Sequence, residues 1–445
     1  MKVEDIQSPA IQRYADDFAA LGGRLPGHGV TWVEKLRRDA LERFRALGFP
    51  TLRHEDWKYT NVAAVERKHF APVATPGEVP AERVAEHVFS DLDADILVFV
   101  DGHYAAGLSR IDTLPAGATV QPLSAALTDG AGWLPQALAT APGGSGFDAL
   151  NAALWSDGAA IRLEAGARLP RPVHVIFMAT GGEHAAHVRN VVEAGEGTEA
   201  TVIEHYVSLP GAAMLTTAAT RIAVGAKAGV EHVKLLQEDV KSVHVAAIRA
   251  AQARDSRLTS HSVAMGAQLA RNDIEVRFEG PGAEATLNGL YLAGGRQHVD
   301  HHTRVDHAVP RCVSREYYRG ILDGHGRGVF NGRVMVHEGA QQTDAQQVNN
   351  NLLLSRDAEI DTKPQLEIFA DDVKCAHGAT VGQLDDDMLF YLRSRGIGEA
   401  TARSLLTYAF ANDVLNRIRL EPVRVRLEQA LLTRLPEGES IRESL

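Results

Sequence analysis

Apolar positions along the chain change their period twice. Trp32, Leu36, Ala40, Phe44 and Leu47 recur at helical spacing, with Thr31 and Glu34 as a capping-box pair before them and Gly48 and Pro50 as the stop. His54-Glu55-Asp56-Trp57-Lys58-Tyr59-Thr60 follows as a charged, aromatic turn or short helix. From Pro72 to Ser145 the pattern is mixed. Ile96 to Val100 reads as a buried strand, and Ala141-Pro142-Gly143-Gly144-Ser145 reads as a hinge. A helical pattern from Phe147 to Trp155 closes a mainly helical N-terminal region, residues 1–155.

Between Gly158 and Ile368 the texture is different. Runs of Val, Ile, Leu and Thr alternate with polar residues and are broken by Gly, Pro and Asp. Turn-to-strand transitions near Glu199, Gly229, Ser256, Glu284, Cys312 and Ala340 are 27 to 30 residues apart. A repeat of that length predicts a solenoid of several short strands per coil, in which stacked coils bury a continuous aliphatic interior. A parallel β-helix over residues 156–370 fits; a β-sandwich would bring its turns closer together. The last part, residues 371–445, returns to helical spacing. Asp385 to Asp387 can cap a helix ending at Gly396, a second carries Leu406, Phe410, Val414 and Ile418, and a third runs from Pro422 to Leu435. The fold class is mainly β, a parallel β-helix core between helical flanks that would hide its coil ends.

Charge and cysteine content narrow the function. Lys and Arg number 46 against 57 Asp and Glu, a formal charge of −11, which disfavours binding to a phosphate backbone. With 45% apolar and 23% charged residues the composition is globular, and no apolar run approaches the about 18 residues of a membrane span. Met1-Lys2-Val3-Glu4-Asp5 has no apolar signal core, and two cysteines suit a reducing compartment, so a cytoplasmic location is expected. Two thiols cannot supply four ligands to an iron–sulfur cluster. No Gly precedes a Lys, so there is no P-loop, and any ATP hydrolysis belongs to another chain.

Three clusters could carry chemistry. In His298-Val299-Asp300-His301-His302-Thr303-Arg304-Val305-Asp306-His307, strand alternation puts His298, Asp300, His302, Arg304 and Asp306 on one face and His301 and His307 on the other. That mixture suits a hydrogen-bonded ladder better than a closed metal site. In Asp371-Asp372-Val373-Lys374-Cys375-Ala376-His377-Gly378, Cys375 and His377 point the same way on an extended chain and together suit iron or zinc. The alternative is a buried thiol and a capping His. Asp371, Asp372 and the Asp385–Asp387 run could be paired carboxylates for sugar chemistry, but such runs are more often caps.

Longer stretches resemble one family. They are Phe330-Asn331-Gly332, Gly339 to Ala345, Asn350 to Ser355, Ala358 to Ile368, Asp371 to Gly382 and Phe390 to Ile397, with Asp300 to Thr303 and Ser314 to Gly320 upstream. This pattern resembles the SufB/SufD proteins of iron–sulfur cluster assembly. Glu55-Asp56-Trp57-Lys58-Tyr59-Thr60 and the shortage of cysteine resemble the SufD type. The resemblance implies a right-handed β-helix and a non-catalytic scaffold that pairs with a SufB-like chain, or with itself when isolated. It implies SufC ATPase docking on the C-terminal helices, for which Phe390, Tyr391, Arg393, Arg395, Leu406 and Phe410 are the candidates. It also implies a transient iron–sulfur cluster at the subunit interface, with His377 as this chain's candidate ligand, facing a Cys of the partner, and Cys375 as the lesser one. A carbohydrate-acting β-helix enzyme and a purely structural, ATPase-stimulating subunit are the alternatives.

Overall fold

The computed structural model describes residues 8–139 and 144–442. Met1 to Asp5 and Ala141 to Gly143 of the expected hinge lie outside the described residues. Two ten-stranded sheets face each other, and each coil gives one strand to each sheet. Thus Glu199–Ser208 lies in the second sheet, Leu215–Val224 in the first and Gly229–Gln237 again in the second. Within the repeat all pairings are parallel, and the register runs Glu199, Gly229, Arg257, Glu284, Val313, Asp344, Lys374. The coil length is therefore 27 to 31 residues.

One corner recurs in six successive coils. Gly197, Lys227, Asp255, Gly282, Arg311 and Gln342, each two residues before the register position, all have positive φ between 56° and 75°. Only two of the six are glycine, so composition does not reveal the turn, although a non-glycine residue in this conformation costs about 1 kcal/mol or more. The next residue is small and buried each time: Thr198, Ala228, Ser256, Ala283, Cys312 and Thr343. The corner amides of Gly197, Lys227, Asp255, Arg311 and Gln342 donate to a carbonyl in the turn of the following coil. Cys312 thus stands where other coils have Ala, Ser or Thr.

The interior is not the aliphatic column that the periodicity predicts. Val192, Ile222, Ala250, Val276, Val305 and Val334 stack in that manner, but Glu204, His232, Lys234, Asn272, His301, Glu316, Gln347, Asn349 and Asn351 are also buried. Buried polar groups are retained where they satisfy one another. Glu204 accepts from Tyr206 Oη at 2.7 Å and Thr220 Oγ1 at 2.6 Å and meets His232 Nε2 at 3.1 Å. Burial alone would raise its carboxyl, but His232, Lys234 and Thr220 outweigh this and hold it at about 2. Glu316 accepts from Gln347 Nε2 at 3.1 Å, and here burial prevails, pushing the carboxyl up to about 7.

The flanks differ from the expected caps. The Thr31–Leu47 helix forms, but Thr31 is its first helical residue and caps nothing; Glu34 Oε1 instead accepts from the Gly29 amide at 2.9 Å. A helix at Pro9–Leu21, not anticipated, packs Tyr14 against Phe44 and Phe49. The N-terminal region adds Asp95–Val100 and Ala118–Pro122 to the two sheets and so continues them past the first coil. The C-terminal helices Asp386–Ser394, Glu399–Leu415 and Glu421–Leu432 do not close the other end. Tyr408, Ala411, Val414, Leu415, Leu427 and Leu431 lie along the outer side of the second sheet, on Ile203, Val233, Leu235, Val263, Leu290 and Ile321. The solenoid also extends past residue 370, because Val373–Gly382 is the last strand of the second sheet.

Candidate functional site

The His298–His307 strand lies in the first sheet and alternates: His301 and His307 are buried in the interior, and Asp300 faces outward between His298 and His302. Its outer face receives the Glu55–Thr60 segment. Thr60 Oγ1 donates to Asp300 and meets His298 Nε2 at 2.9 Å. Arg271 joins the two parts: Nη1 reaches Asp300 Oδ2 and the Asp56 carbonyl at 2.7 Å each, and its guanidinium lies 3.8 Å from the Trp57 ring centroid. Trp57 stacks on Phe147, and Lys363 Nζ reaches Glu55 at 2.6 Å. Burial would raise the Asp300 carboxyl, but His302, Arg271 and Thr60 hold it well below the usual carboxylate range. The histidine-rich strand is therefore a docking platform for the N-terminal segment. Arg271, which sequence reasoning passed over, is its centre; in Leu269-Ala270-Arg271-Asn272-Asp273 it stands among other polar residues, and nothing in the sequence marks it.

The other cluster is on the last strand of the second sheet. Val373–Gly382 pairs with Thr343–Leu353 on one side only, so its other backbone edge carries no strand of this chain. None of its residues is buried, nor is any residue of Glu359–Ile368, the last strand of the first sheet. Cys375 and His377 do share a face, as an extended chain requires. Their surroundings differ. Cys375 packs against an apolar cluster of Val334, Val336, Ala340, Ala345 and Ala370, and burial pushes its thiol up, away from the thiolate a metal needs. His377 is exposed, in register with Gln347 below it. Among the described residues no three His, Cys, Asp or Glu side chains are grouped to hold a metal ion. Asp385 caps the next helix, its Oδ1 accepting from the Asp387 and Met388 amides.

The residues proposed for partner contact fall into two sets. Phe390 is 72% exposed and Tyr391 57%, with Met388 beside them on a helix whose only buried side chain is Leu389. Arg395 lies over the Tyr391 ring, and Arg393 approaches Glu399 at 3.6 Å. Leu406 is half-buried on the following helix, and Phe410 turns toward the second sheet, under the Arg319 guanidinium at 4.5 Å. Only the first set offers a free apolar surface.

Comparison with known proteins finds matches along most of the chain. Residues 9–175 match the SufBD protein N-terminal region, and residues 177–410 match the SufBD core domain of the SUF system of iron–sulfur cluster assembly. The iron–sulfur cluster assembly protein SufD of Escherichia coli is 37% identical over 97% of this chain and 98% of its own length. A SufBD family protein of Synechocystis, slr0076, is 31% identical over 89% of this chain and 90% of its own. SufD of Bacillus subtilis is 27% identical over 63% of this chain and 64% of its own. No helix among the described residues is long and apolar enough to cross a membrane. The chain belongs to the SufB/SufD family of iron–sulfur cluster assembly proteins, and within it is most like SufD.

Proposed function

We propose that this chain is a non-catalytic scaffold subunit that sets its open coil end against a SufB-like chain, where a nascent iron–sulfur cluster gathers ligands from both. The observation that carries this reading is the exposed His377 on the last strand, whose outer backbone edge has no strand of this chain beside it, in a coil whose two strands, Glu359–Ile368 and Val373–Gly382, have no buried residue. A neutral imidazole is a good iron ligand, and one residue per chain is sufficient when the partner supplies thiolates. Cys375 would serve to pack the last coil. The exposed Met388, Phe390 and Tyr391 would take the SufC ATPase, whose ATP-driven movement would be passed through the C-terminal helices to the interface. The cluster is cargo, held only while both ends are together.

A purely structural subunit is the second reading, favoured by the lack of any three-ligand grouping among the described residues. Co-purification with the SufB-like and SufC chains, followed by anaerobic iron and sulfide analysis, separates the two. An intact complex whose cluster content falls at least severalfold in His377→Ala supports the ligand; an intact complex with unchanged content leaves a structural subunit. Phe390→Ser with Tyr391→Ser should lose the ATPase without moving the melting temperature. Truncation before Asp385 would be a poor test, because it would uncover the apolar face of the second sheet.

A further inference from the structure

A cavity of about 600 Å³ lies on the outer face of the first sheet, against residues of the Leu134–Ala137 and Gly146–Leu154 helices. Five successive strands of that sheet each send one arginine to it: Arg189, Arg221, Arg249, Arg277 and Arg304. Arg221 stands directly opposite Arg249, while Arg189 and Arg277 stand opposite Ala219 and Ala251, whose small side chains leave the floor open. Like charges directly opposite one another on neighbouring strands are destabilising, and an anion between them removes that cost. The carboxylates present do not meet the need. Asp148 and Glu275 both go to Arg249, at 2.7 and 3.4 Å, and Asp306 goes to Arg304 at 3.0 Å. Glu279 is exposed and forms no ion pair among the described residues. Arg221 donates Nη1 to the Gln136 carbonyl at 2.9 Å. Arg189 and Arg277 have no ion pair among the described residues, and Arg189 Nη1 is buried with no hydrogen-bond partner. Burial, Arg249 and Arg221 push the Arg189 guanidinium down to about 10, against the opposing pull of Asp148. A guanidinium buried without a counter-charge is costly, so the cavity is short of an anion.

We propose that this cavity binds a phosphate group, held by Arg189 and Arg277, with Arg221 giving its remaining donors. A planar guanidinium presents paired N–H groups that match phosphate oxygens. A phosphate monoester carries about −1.5 to −2 charges at neutral pH, so one group can answer two guanidinium ions where a carboxylate answers one. The volume lies within the about 300–1,000 Å³ of small-molecule sites, which leaves room for an organic body against Leu138, Val191 and Val276. The net acidity of the chain opposes a polyanionic backbone, but a single phosphate entering a cleft responds to the local field. The site is independent of the subunit docking at the open coil end.

The test is calorimetric titration of the full chain with inorganic phosphate and with phenyl phosphate, in chloride buffer of matched ionic strength. Wild type should bind at least one probe with a Kd below about 1 mM. Arg189→Gln should weaken that binding about tenfold or more. Without phosphate its melting temperature should not fall, because the side chain it removes has no ion pair among the described residues. Arg277→Gln, at an exposed position, should weaken binding about threefold and serves in its place if Arg189→Gln does not fold. Arg257→Gln, on the second sheet, should leave binding unchanged. Tighter binding of phenyl phosphate supports the proposal with a phosphate ester as ligand, and equal binding supports it with free phosphate. No binding of either probe at about 10 mM would overturn it. So would undiminished binding in both cavity variants, or an equal loss in Arg257→Gln.

Discussion

At its first coil the solenoid runs on into strands of the N-terminal region, and farther along, from Leu269–Phe278 to Glu359–Ile368, the Glu55–Thr60 segment is pinned across the outer face of the first sheet. At its last coil, Glu359–Ile368 and Val373–Gly382 have no buried residue and no further strand beside them. The two polar clusters legible in the sequence therefore do different work. His298–His307 is consumed by the chain's own N-terminal segment, whereas Cys375-Ala376-His377 is left at an edge. A polar residue whose partners lie within the chain stabilises it. One left at an unpaired edge costs little in stability and is available to another molecule.

That contrast can be broken first at Arg271. Arg271→Met would leave Asp300 buried without its cation, and we expect a loss of about 3–5 kcal/mol in urea unfolding. His377→Ala should change stability by less than about 0.5 kcal/mol. A comparable loss in both would erase the distinction between the docked platform and the open edge.

The interior acids give the next largest effect, and their signs oppose. The Glu316 carboxyl is raised to about 7, so its favourable contribution is complete below the unfolded value near 4.5 and is lost as pH rises through 7. Glu316→Gln should thus stabilise by up to about 3 kcal/mol at pH 8 and by almost nothing at pH 4. Glu204, lowered to about 2, contributes above pH 4.5, and that contribution is lost as pH falls through 2. Glu204→Gln should therefore flatten the acid limb of the stability profile, measured by thermal melts across pH.

A smaller effect compares two glycines directly. A Cβ at Gly320 would lie 2.4 Å from the Tyr291 ring and 2.5 Å from Asn351, whereas one at Gly378 would meet nothing within 4 Å. Gly320→Ala should cost about 1–3 kcal/mol and Gly378→Ala no more than about 0.5. The smallest effect is at the corners: Arg311→Gly or Gln342→Gly, relieving positive φ, should be neutral or stabilising by up to about 1 kcal/mol.

The repeat was legible because each coil restarts with a polar-to-apolar change, and Glu199, Gly229 and Glu284 are first residues of strands. Ser256 and Cys312 are one residue early and Ala340 three, since the corner is defined by backbone conformation and a small side chain, which no single residue type marks. The last strand escaped because Val373–Gly382 is exposed and has no apolar alternation along its length. The polar interior escaped for a different reason. Glu204, Lys234 and Glu316 sit in strands that look outward-facing at those positions until partners from neighbouring coils are known. The C-terminal helices were found from their spacing, but not the surface they cover, because Ile203, Val233 and Leu290 are read equally well as core.

The clamp between helix and solenoid fixes where a mechanical load would enter. Arg319 holds Asp413 at 2.7 Å and the Phe410 carbonyl, Tyr317 donates to Asp413, and Arg417 lies 4.0 Å from the Tyr317 ring centroid. Both anchors are on Val313–Leu322, which pairs with Thr343–Leu353 and through it with the edge strand. A pull on the Asp386–Ser394 helix would reach the sheet two strands from the open edge, far from the buttressed first coils. The lever is short and its fulcrum lies close to the surface to be moved, so a small displacement of the helix would be spent on that edge and little of it on bending the whole solenoid.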